Sequence, residues 1–506
     1  MTRKAVLSSA LTGILLTLAF PPAGWWPLAW IAFVPLHRAL FGLLRSAQAL
    51  TCGAVTGVFF FGFSMHWLTE VSTAGWLLWT ALQVPYFMVF SWLTYLAYRR
   101  TGSSALRIVW TASVWTALEI IRADLPIFGV GWNLVAYSQA PCPIMIQTAR
   151  IFGAYGLGFL IMLVNACAHE LWAAVLKRDR RRITALTLTM SLVLGAAFIY
   201  GKGSFADEDQ PEEYLRVSVL QGNIPQAVKW QIMAKDQILS IYEKLTLLAA
   251  LDQPDLIVWP EASFPGYFNR DVQSARVLSV AREARTPVLA GGLHWVNERE
   301  VYNSAYLIDK EGKLSERRYD KVRLVPFGEY IPLKFLFGWL KPVADALGIG
   351  DFSAGRDPVV FQWAREEWPF GVLICFEDIF SDLAKDMADR GANMLVVITN
   401  DAWFGRTGAP YQHLQASIFR AVENGVAVVR AANTGVSAFI SHRGEVLGTV
   451  KNKKGEETFT LGHKTLDLPL RAIKTAYRQG GHGFPYVVFL ILAGAGVFLM
   501  KIRRTT

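Results

Sequence analysis

The sequence predicts two unlike parts: an α-helical multispan region of about eight membrane spans, and an α/β domain whose sheets are covered by helices. Three observations carry this expectation. Hydrophobic residues make up 53% of the 506 and charged residues only 18%, against about 25% charged in an ordinary soluble domain. Charge is also unevenly spread: residues 1–201 hold 14 Lys and Arg against 5 Asp and Glu, residues 202–483 hold 33 against 35, and residues 484–506 hold 3 and none. Finally, short β-branched runs alternate with amphipathic helical stretches only in the middle part. The expected division is therefore 1–201 with about seven spans, 202–483 as an extracytoplasmic soluble domain, and 484–506 as a last span with a tail. The basicity resides in the apolar ends, so the overall pI near 9.3 points to anionic lipid and not to nucleic acid.

A bilayer span needs about 20 mostly apolar residues. Such stretches lie near 5–20, 25–43, 48–68, 76–98, 106–122, 155–176, 183–200 and 484–500. The first ends at Pro21-Pro22, so the region up to residue 43 reads either as two spans or as a broken pair. Arg3-Lys4 before an apolar run mimics a signal peptide, but no small-residue cleavage site follows, and the helix is expected to be retained. Orientation follows the cationic loops. One side collects Arg3, Lys4, Arg38, Arg45, Arg99, Arg100, Arg107, Lys177, Arg178, Arg180, Arg181, Arg182, Lys501, Arg503 and Arg504, and the other only Arg122 and Arg150. The first set marks the cytoplasm, which places the middle domain outside. Glu119 and Glu170 are unusual as carboxylates within spans. Glu119 is expected near an outer span end, facing headgroups or the soluble domain, and Glu170 with His169 toward the inner interface.

Residues 201–214 read as a polar linker, and RQGGHG near 478–483 as the exit. Between them, strands are expected at 215–221, 255–259, 287–291, 303–308, 370–375, 394–399, 426–431 and 436–441. Amphipathic helices are expected at 231–251, 271–285, 379–390 and 411–424. Several strands run into a polar residue: DLIVWP into Glu261, GVLI into Cys375, LVVIT into Asn400-Asp401. In α/β folds the ligand crevice lies outside the carboxyl ends of strands.

Cys375 is the single cysteine of the soluble part, the others being Cys52, Cys142 and Cys167. One cysteine cannot close an internal disulfide. A small buried hydrophobe is the usual role of such a residue, whereas a strand-end position favours chemistry. A reactive thiol needs a base or a nearby cation. Glu261 supplies the first and Lys321 the second, and no histidine pattern suggests itself as the base.

WPEASFP at 259–265, YDKVRLVPFGEYIP at 319–332 and ICFEDIF at 374–380 resemble the three signature segments of the nitrilase superfamily. NDAWFG at 400–405, QHLQ at 412–415 and AANTGVS at 431–437, set between membrane segments, narrow the resemblance to the apolipoprotein N-acyltransferases. The resemblance implies an α/β nitrilase-like αββα sandwich with Cys375 as nucleophile, Glu261 as general base and Lys321 as oxyanion stabiliser. It further implies Glu329 as the auxiliary carboxylate and Glu377 as a family position of less defined role. Phe376 stands where a tyrosine is common, its backbone N–H being the expected contribution to the oxyanion hole. The implied reaction moves an acyl chain from a membrane phospholipid to the α-amine of a diacylated apolipoprotein through a cysteine thioester, with ping-pong kinetics. No metal or cofactor is implied. The implied setting is the bacterial inner membrane, the domain facing the periplasm, with a monomer expected. A membrane-anchored carbon–nitrogen hydrolase using the same three residues is the alternative. A transporter with a soluble receptor domain ranks third, because it leaves Glu261, Lys321 and Cys375 unexplained.

The segment 333–349 carries Phe335, Leu336, Phe337, Trp339 and Leu340 between Lys334 and Lys341. That composition suits an arm lying in the bilayer interface and controlling lipid access, and it equally suits a core helix. Phe335 and Trp339 are candidate substrate contacts. Trp230, which the resemblance also marks, either lines the lipid entrance or packs on the sheet. Asn303 either bonds within the site or serves a turn. His413 and Asn400 are expected to organise loops by hydrogen bonds.

Overall fold

The computed structural model describes residues 2–125, 129–206, 213–333, 335, 351–363 and 368–501. Seven principal helices precede the sandwich: α1 (Arg3–Leu18), α2 (Val34–Phe41), α3 (Ser46–Ser64), α4 (Thr73–Arg100), α5 (Ser104–Asp124), α6 (Ala149–Leu176) and α7 (Arg180–Ala206). Among the described residues, six helices are long and apolar enough to cross a membrane: α3 to α7 and the C-terminal stretch Gly481–Lys501. Of the two readings of the region up to residue 43, the broken one is found. α1 has 16 residues, and the second stretch breaks into a 3-10 turn, Trp26–Trp30, and the eight-residue α2. Eight residues rise only about 12 Å, so α2 alone cannot cross about 30 Å of hydrocarbon. Buried polar contacts hold this broken segment: the Phe33 N–H donates to Asn165 Oδ1 at 2.9 Å and the Leu36 N–H to Thr12 Oγ1 at 3.1 Å.

The linker expected from residue 201 begins later, because α7 continues to Ala206. Gly201 is a packing residue there: a Cβ on it would sit 2.1 Å from the carbonyl oxygen of Ile144. Glu170, expected toward the inner interface, lies among residues from the starts of α5 and α7. It is buried inside the bundle, paired with Arg107 at 3.4 Å and Arg182 at 2.8 Å.

The α/β part has two sheets. The first runs β13-β1-β2-β4-β5-β6, with β3 paired to β4, and the second runs β12-β11-β10-β9-β8-β7. Its strands are β1 (Glu213–Gln221), β2 (Leu256–Val258), β3 (Phe264–Tyr267), β4 (Val288–Asn297), β5 (Glu300–Ile308) and β6 (Leu314–Asp320). They continue as β7 (Val360–Phe361), β8 (Phe370–Ile374), β9 (Met394–Thr399), β10 (Ala427–Ala432), β11 (Ala438–Ile440), β12 (Val446–Thr449) and β13 (Gly462–Leu470). Helices α8 (Lys235–Ala250) and α9 (Ser274–Ala284) cover the first sheet. Helices α10 (Ser381–Asp389) and α11 (Ala409–Asn424) cover the second. α12 (Phe484–Lys501) follows the sandwich.

Side-chain alternation along the strands separates two cores. Leu256, Val258, Leu289, Ala305 and Leu307 join the core shared with the second sheet. Their neighbours Ile257, Val288, Ala290, Tyr306 and Ile308 face α8 and α9 with Leu239, Tyr242 and Val277. All eight expected strands and all four expected helices are present, the strand at 394–399 with the expected ends and the others with shifted ones. Among the described residues, the five strands beyond those eight are β6, β7, β12 and β13, which end the two sheets, and β3, which pairs only with β4. A half-exposed strand such as GHKTLDLPL carries too little apolar sequence to announce itself.

α11 joins the sandwich to the helical bundle, and nearly all of it is buried. Gln412 Oε1 accepts from Trp132 Nε1 at 2.9 Å, Trp67 Nε1 at 3.2 Å and Asn133 Nδ2 at 3.4 Å. Its Nε2 donates to the carbonyls of Pro21 at 2.9 Å and Ser64 at 3.2 Å. At the other end of the helix, Glu423 accepts from the Ala154 N–H at 2.8 Å and pairs with Arg420 at 2.8 Å.

Candidate active site

The carboxyl ends of β2, β6 and β8 bring three distant segments together. Cys375 directly follows β8 and sits in the left-handed region with φ 53°. Such a conformation costs a non-glycine residue about 1–3 kcal/mol and persists only where its surroundings enforce it. Glu377 supplies that enforcement. Its carboxylate accepts from the N–H of Ile374 at 2.7 Å, of Val322 at 2.6 Å and of Arg323 at 3.0 Å. Tyr319 Oη adds bonds of 2.8 and 2.9 Å. One buried side chain thus ties the cysteine turn to the loop that follows Lys321. Burial lifts its carboxyl to about 7, against the pull of these donors and of Lys321.

Lys321 begins where β6 ends, and it is 1% exposed. Its Nζ lies 2.9 Å from Glu329 Oε1 and 3.6 Å from Glu261 Oε1. Burial alone would release its proton, but Glu329, then Glu261 and Cys375, outweigh it and hold the ammonium above the ordinary lysine range. Asn303, in β5, bridges the same carboxylates: Nδ2 donates to Glu261 Oε1 at 2.8 Å and to Glu329 Oε1 at 3.2 Å. It is therefore a site residue in mid-strand and serves no turn. Glu329 is fixed on its other side by the Val325 N–H at 2.9 Å. The turn carrying Glu261 presses on β4 at Gly291, where a Cβ would lie 2.6 Å from the Pro260 oxygen and 2.9 Å from Glu261 Cα. That approach explains a glycine inside the strand.

Burial and the Glu261 charge push the Cys375 thiol upward, and Lys321 opposes them without prevailing. The thiol therefore rests protonated, next to a carboxylate able to take its proton and an ammonium able to hold a developing oxyanion. Phe376 is buried against Phe380, with ring centroids 5.3 Å apart. Both line a cavity of about 430 Å³ that also touches Val322 and Arg323 and, past the end of α5, Leu125 and Gly129.

A second buried layer lies behind the cysteine turn. His413 Nε2 meets Asp378 at 2.8 Å, and its Nδ1 meets Asp401 at 3.0 Å. Arg430 pairs with both aspartates, at 2.8 and 3.1 Å. Burial and Arg430 press the imidazolium down, but the two aspartates hold it above its ordinary value. Asn400 donates to Gln226 Oε1 at 2.8 Å and accepts from Asn433 Nδ2 at 2.8 Å. His413 and Asn400 thus organise loops by hydrogen bonds, as their segments suggested.

Trp230 is 46% exposed, so it is no core aromatic. Phe335 is 88% exposed. Leu336, Phe337, Trp339 and Leu340 lie outside the described residues. Sequence reasoning did not single out Lys229, Asp378 or Arg430. Lys229 is 3% exposed and donates to the Glu261 carbonyl at 2.9 Å. The signal available in the sequence was its place beside Trp230 in QGNIPQAVKW.

Comparison with known proteins gives concordant matches. Residues 12–167 match the apolipoprotein N-acyltransferase N-terminal domain, and residues 216–469 match the carbon–nitrogen hydrolase family. Among solved structures, an amidase of the nitrilase superfamily from Nesterenkonia AN1 aligns with TM-score 0.41 and 19% identity over 55% of this chain and 97% of its own. The chain is 37% identical over 462 residues to an apolipoprotein N-acyltransferase of Geobacter metallireducens, covering 88% of this chain and 87% of the relative. It is 32% identical over 496 residues to that of Allorhizobium ampelinum, covering 91% and 90%. At that identity and over that length, with both segments matched in order, the chain belongs to the apolipoprotein N-acyltransferase family, an enzyme family of the nitrilase superfamily.

Proposed function

We propose that this enzyme transfers a fatty acyl chain from a membrane phospholipid to the α-amine of the N-terminal diacylglyceryl-cysteine of an apolipoprotein. The observation that carries the reading is the Lys321 ammonium set 2.9 and 3.6 Å from two carboxylates, beside a thiol presented at a left-handed strand end. Cys375 Sγ attacks the ester carbonyl while its proton passes to Glu261. Lys321 and the Phe376 N–H stabilise the oxyanion. The intermediate collapses to a thioester, and the lysophospholipid alkoxide leaves with the proton from Glu261. The acceptor amine then attacks the thioester, Glu261 takes the amine proton, and Cys375 leaves as the thiol once that proton is returned. Glu329 holds Lys321 in place, and Glu377 braces the turn. Such a two-substrate cycle through one covalent intermediate is ping-pong.

The cavity reaching from Phe376 to Leu125 supports a lipid route between the site and the outer end of α5. We place 202–483 in the periplasm, 1–201 and 484–506 in the inner membrane, and the cationic loops in the cytoplasm. α1 and α3 lie side by side with matching direction, since Thr56 Oγ1 reaches the Ser9 carbonyl and Thr17 Oγ1 the Phe60 carbonyl. We read the broken segment between them as the return, which with α1 and the six long helices makes eight passes. The residues invoked all belong to one chain, and a monomer suffices.

Intact mass spectrometry after incubation with a defined phospholipid tests the reading. The expected result is a mass gain of one acyl chain, removed by neutral hydroxylamine, absent in Cys375→Ala and discharged by a diacylated lipopeptide. Free fatty acid without an adduct would favour a hydrolase. Neither product from folded enzyme would refute cysteine acyl chemistry.

A further inference from the structure

The site holds a second buried ammonium that the cycle above does not use. Lys229 ends the short turn Gln226–Lys229 that follows Pro225. Its Nζ donates to the Glu261 carbonyl at 2.9 Å, its one hydrogen bond among the described residues, and lies 6.0 Å from the Trp230 ring. An ammonium has three donors, so two remain without an acceptor among the described residues. The loop that carries it is pinned across the sandwich. Asn433 Oδ1 accepts from the Ile224 N–H at 2.9 Å, its Nδ2 donates to the Ile224 carbonyl at 2.8 Å, and Asn400 holds Gln226 at 2.8 Å. Holding a charge in a buried place requires compensation nearby. The carboxylates Glu261 and Glu329 carry two negative charges against the single positive charge of Lys321, and Lys229 makes the set neutral.

We infer that Lys229 is a positioning residue for acyl transfer: it clamps the Glu261 main chain beside Cys375, and its charge favours the thiolate that attacks. This rests on the acyl-transfer reading. Burial brings the ammonium down to about 8, while Glu261 and Cys375, the two titratable groups that face it, pull the other way. A cation near a thiol lowers its proton affinity. That help is therefore present below about pH 8 and lost above it.

The test is the rate of Cys375 acylation by phosphatidylethanolamine in detergent micelles, followed by intact mass from about pH 6 to about pH 10. In the unaltered enzyme the rate should decline through about pH 8. Lys229→Arg keeps its charge at every pH, so it should retain the rate at about pH 7 within about threefold and lose the decline. Lys229→Met should be about tenfold slower at about pH 7, the equivalent of about one pKa unit, with no inflection near 8. A decline near 8 that persists in Lys229→Arg overturns the inference, as does a Lys229→Met enzyme as fast as the unaltered one. If Lys229→Met does not fold, the arginine profile alone decides. Absence of any adduct in the unaltered enzyme would instead defeat the acyl-transfer reading, and this inference with it.

Discussion

Replacing Glu329 by Gln removes one of the two charges between which the Lys321 ammonium is held, while leaving the residue's size unchanged. With an effective dielectric of about 20, a unit pair at 2.9 Å is worth about 5.7 kcal/mol and one at 3.6 Å about 4.6 kcal/mol. The ammonium at present favours Glu329 by about 1 kcal/mol. Without that charge, Glu261 becomes its sole anionic partner, and closing from 3.6 to about 2.9 Å gains the same amount. The ammonium is then drawn toward the base and away from Cys375. The cation has thereby left the place where the oxyanion forms, a loss worth about 10² to 10³ in rate when a comparable donor is removed. The amide makes matters worse. If its oxygen keeps the Val325 N–H, at 2.9 Å in the native site, its NH₂ group faces the ammonium. Acylation of Cys375 should therefore slow at least 100-fold (on the order of 10²) with little change in phospholipid affinity. The assay is the single-turnover rate of adduct formation by intact mass, on enzyme shown to be monodisperse and to melt as the unaltered protein does. A folded Glu329→Gln enzyme acylating within about threefold of normal would refute this account of Lys321.

Asn303→Leu leaves Glu261 and Glu329 without the donor they share at 2.8 and 3.2 Å. Acylation should fall about tenfold or more, at a cost of about 1.5–3 kcal/mol for a hydrogen bond to a charge, and single-turnover rates at saturating lipid would show it. Gln412→Leu strands three N–H donors and two carbonyls where the sandwich meets the bundle. A loss of about 3 kcal/mol is expected, read as a fall of several degrees in the thermal midpoint in detergent, with Cys375 chemistry intact at low temperature. Asp401→Asn removes a counter-charge from Arg430 and His413, and a loss of about 3–5 kcal/mol is expected at neutral pH. Burial pushes the Asp401 carboxyl up, but His413 and Arg430 prevail and hold it at about 2, below the 3.8 of a free aspartate. Its stabilisation is thus present above the unfolded value and lost as pH falls through about 2. The gap in melting temperature between variant and unaltered enzyme should persist from neutral pH down to about pH 4 and narrow only below that. A gap that closes already between about pH 7 and about pH 5 would assign the effect to another group.

The division of this chain was legible in its sequence because lipid and water select composition over long stretches. Apolar runs and cationic loops declare spans, and continuous β-branched runs declare buried strands. The positions of Glu261 and Cys375 at the ends of apolar strands could be read from the sequence, whereas Lys321 follows the polar strand LSERRYD and stood out only through the segment YDKVRLVPFGEYIP. Edge strands such as β12 and β13 were not legible, because a strand with one wet face carries little apolar sequence. The break before Phe41 was legible only as one of two alternatives, flagged by Pro21-Pro22, and tertiary contacts decided it by satisfying its backbone groups from Asn165 and Thr12 on other helices. Tertiary structure alone decided which polar residues serve the site. Asn303 reaches two carboxylates 42 and 26 residues away in the chain, and Lys229 meets the Glu261 carbonyl 32 residues on. Composition and periodicity report the environment of a face, apolar or wet. They carry no record of which distant donor a buried carboxylate will find, because that pairing exists only once two sheets have closed on one another.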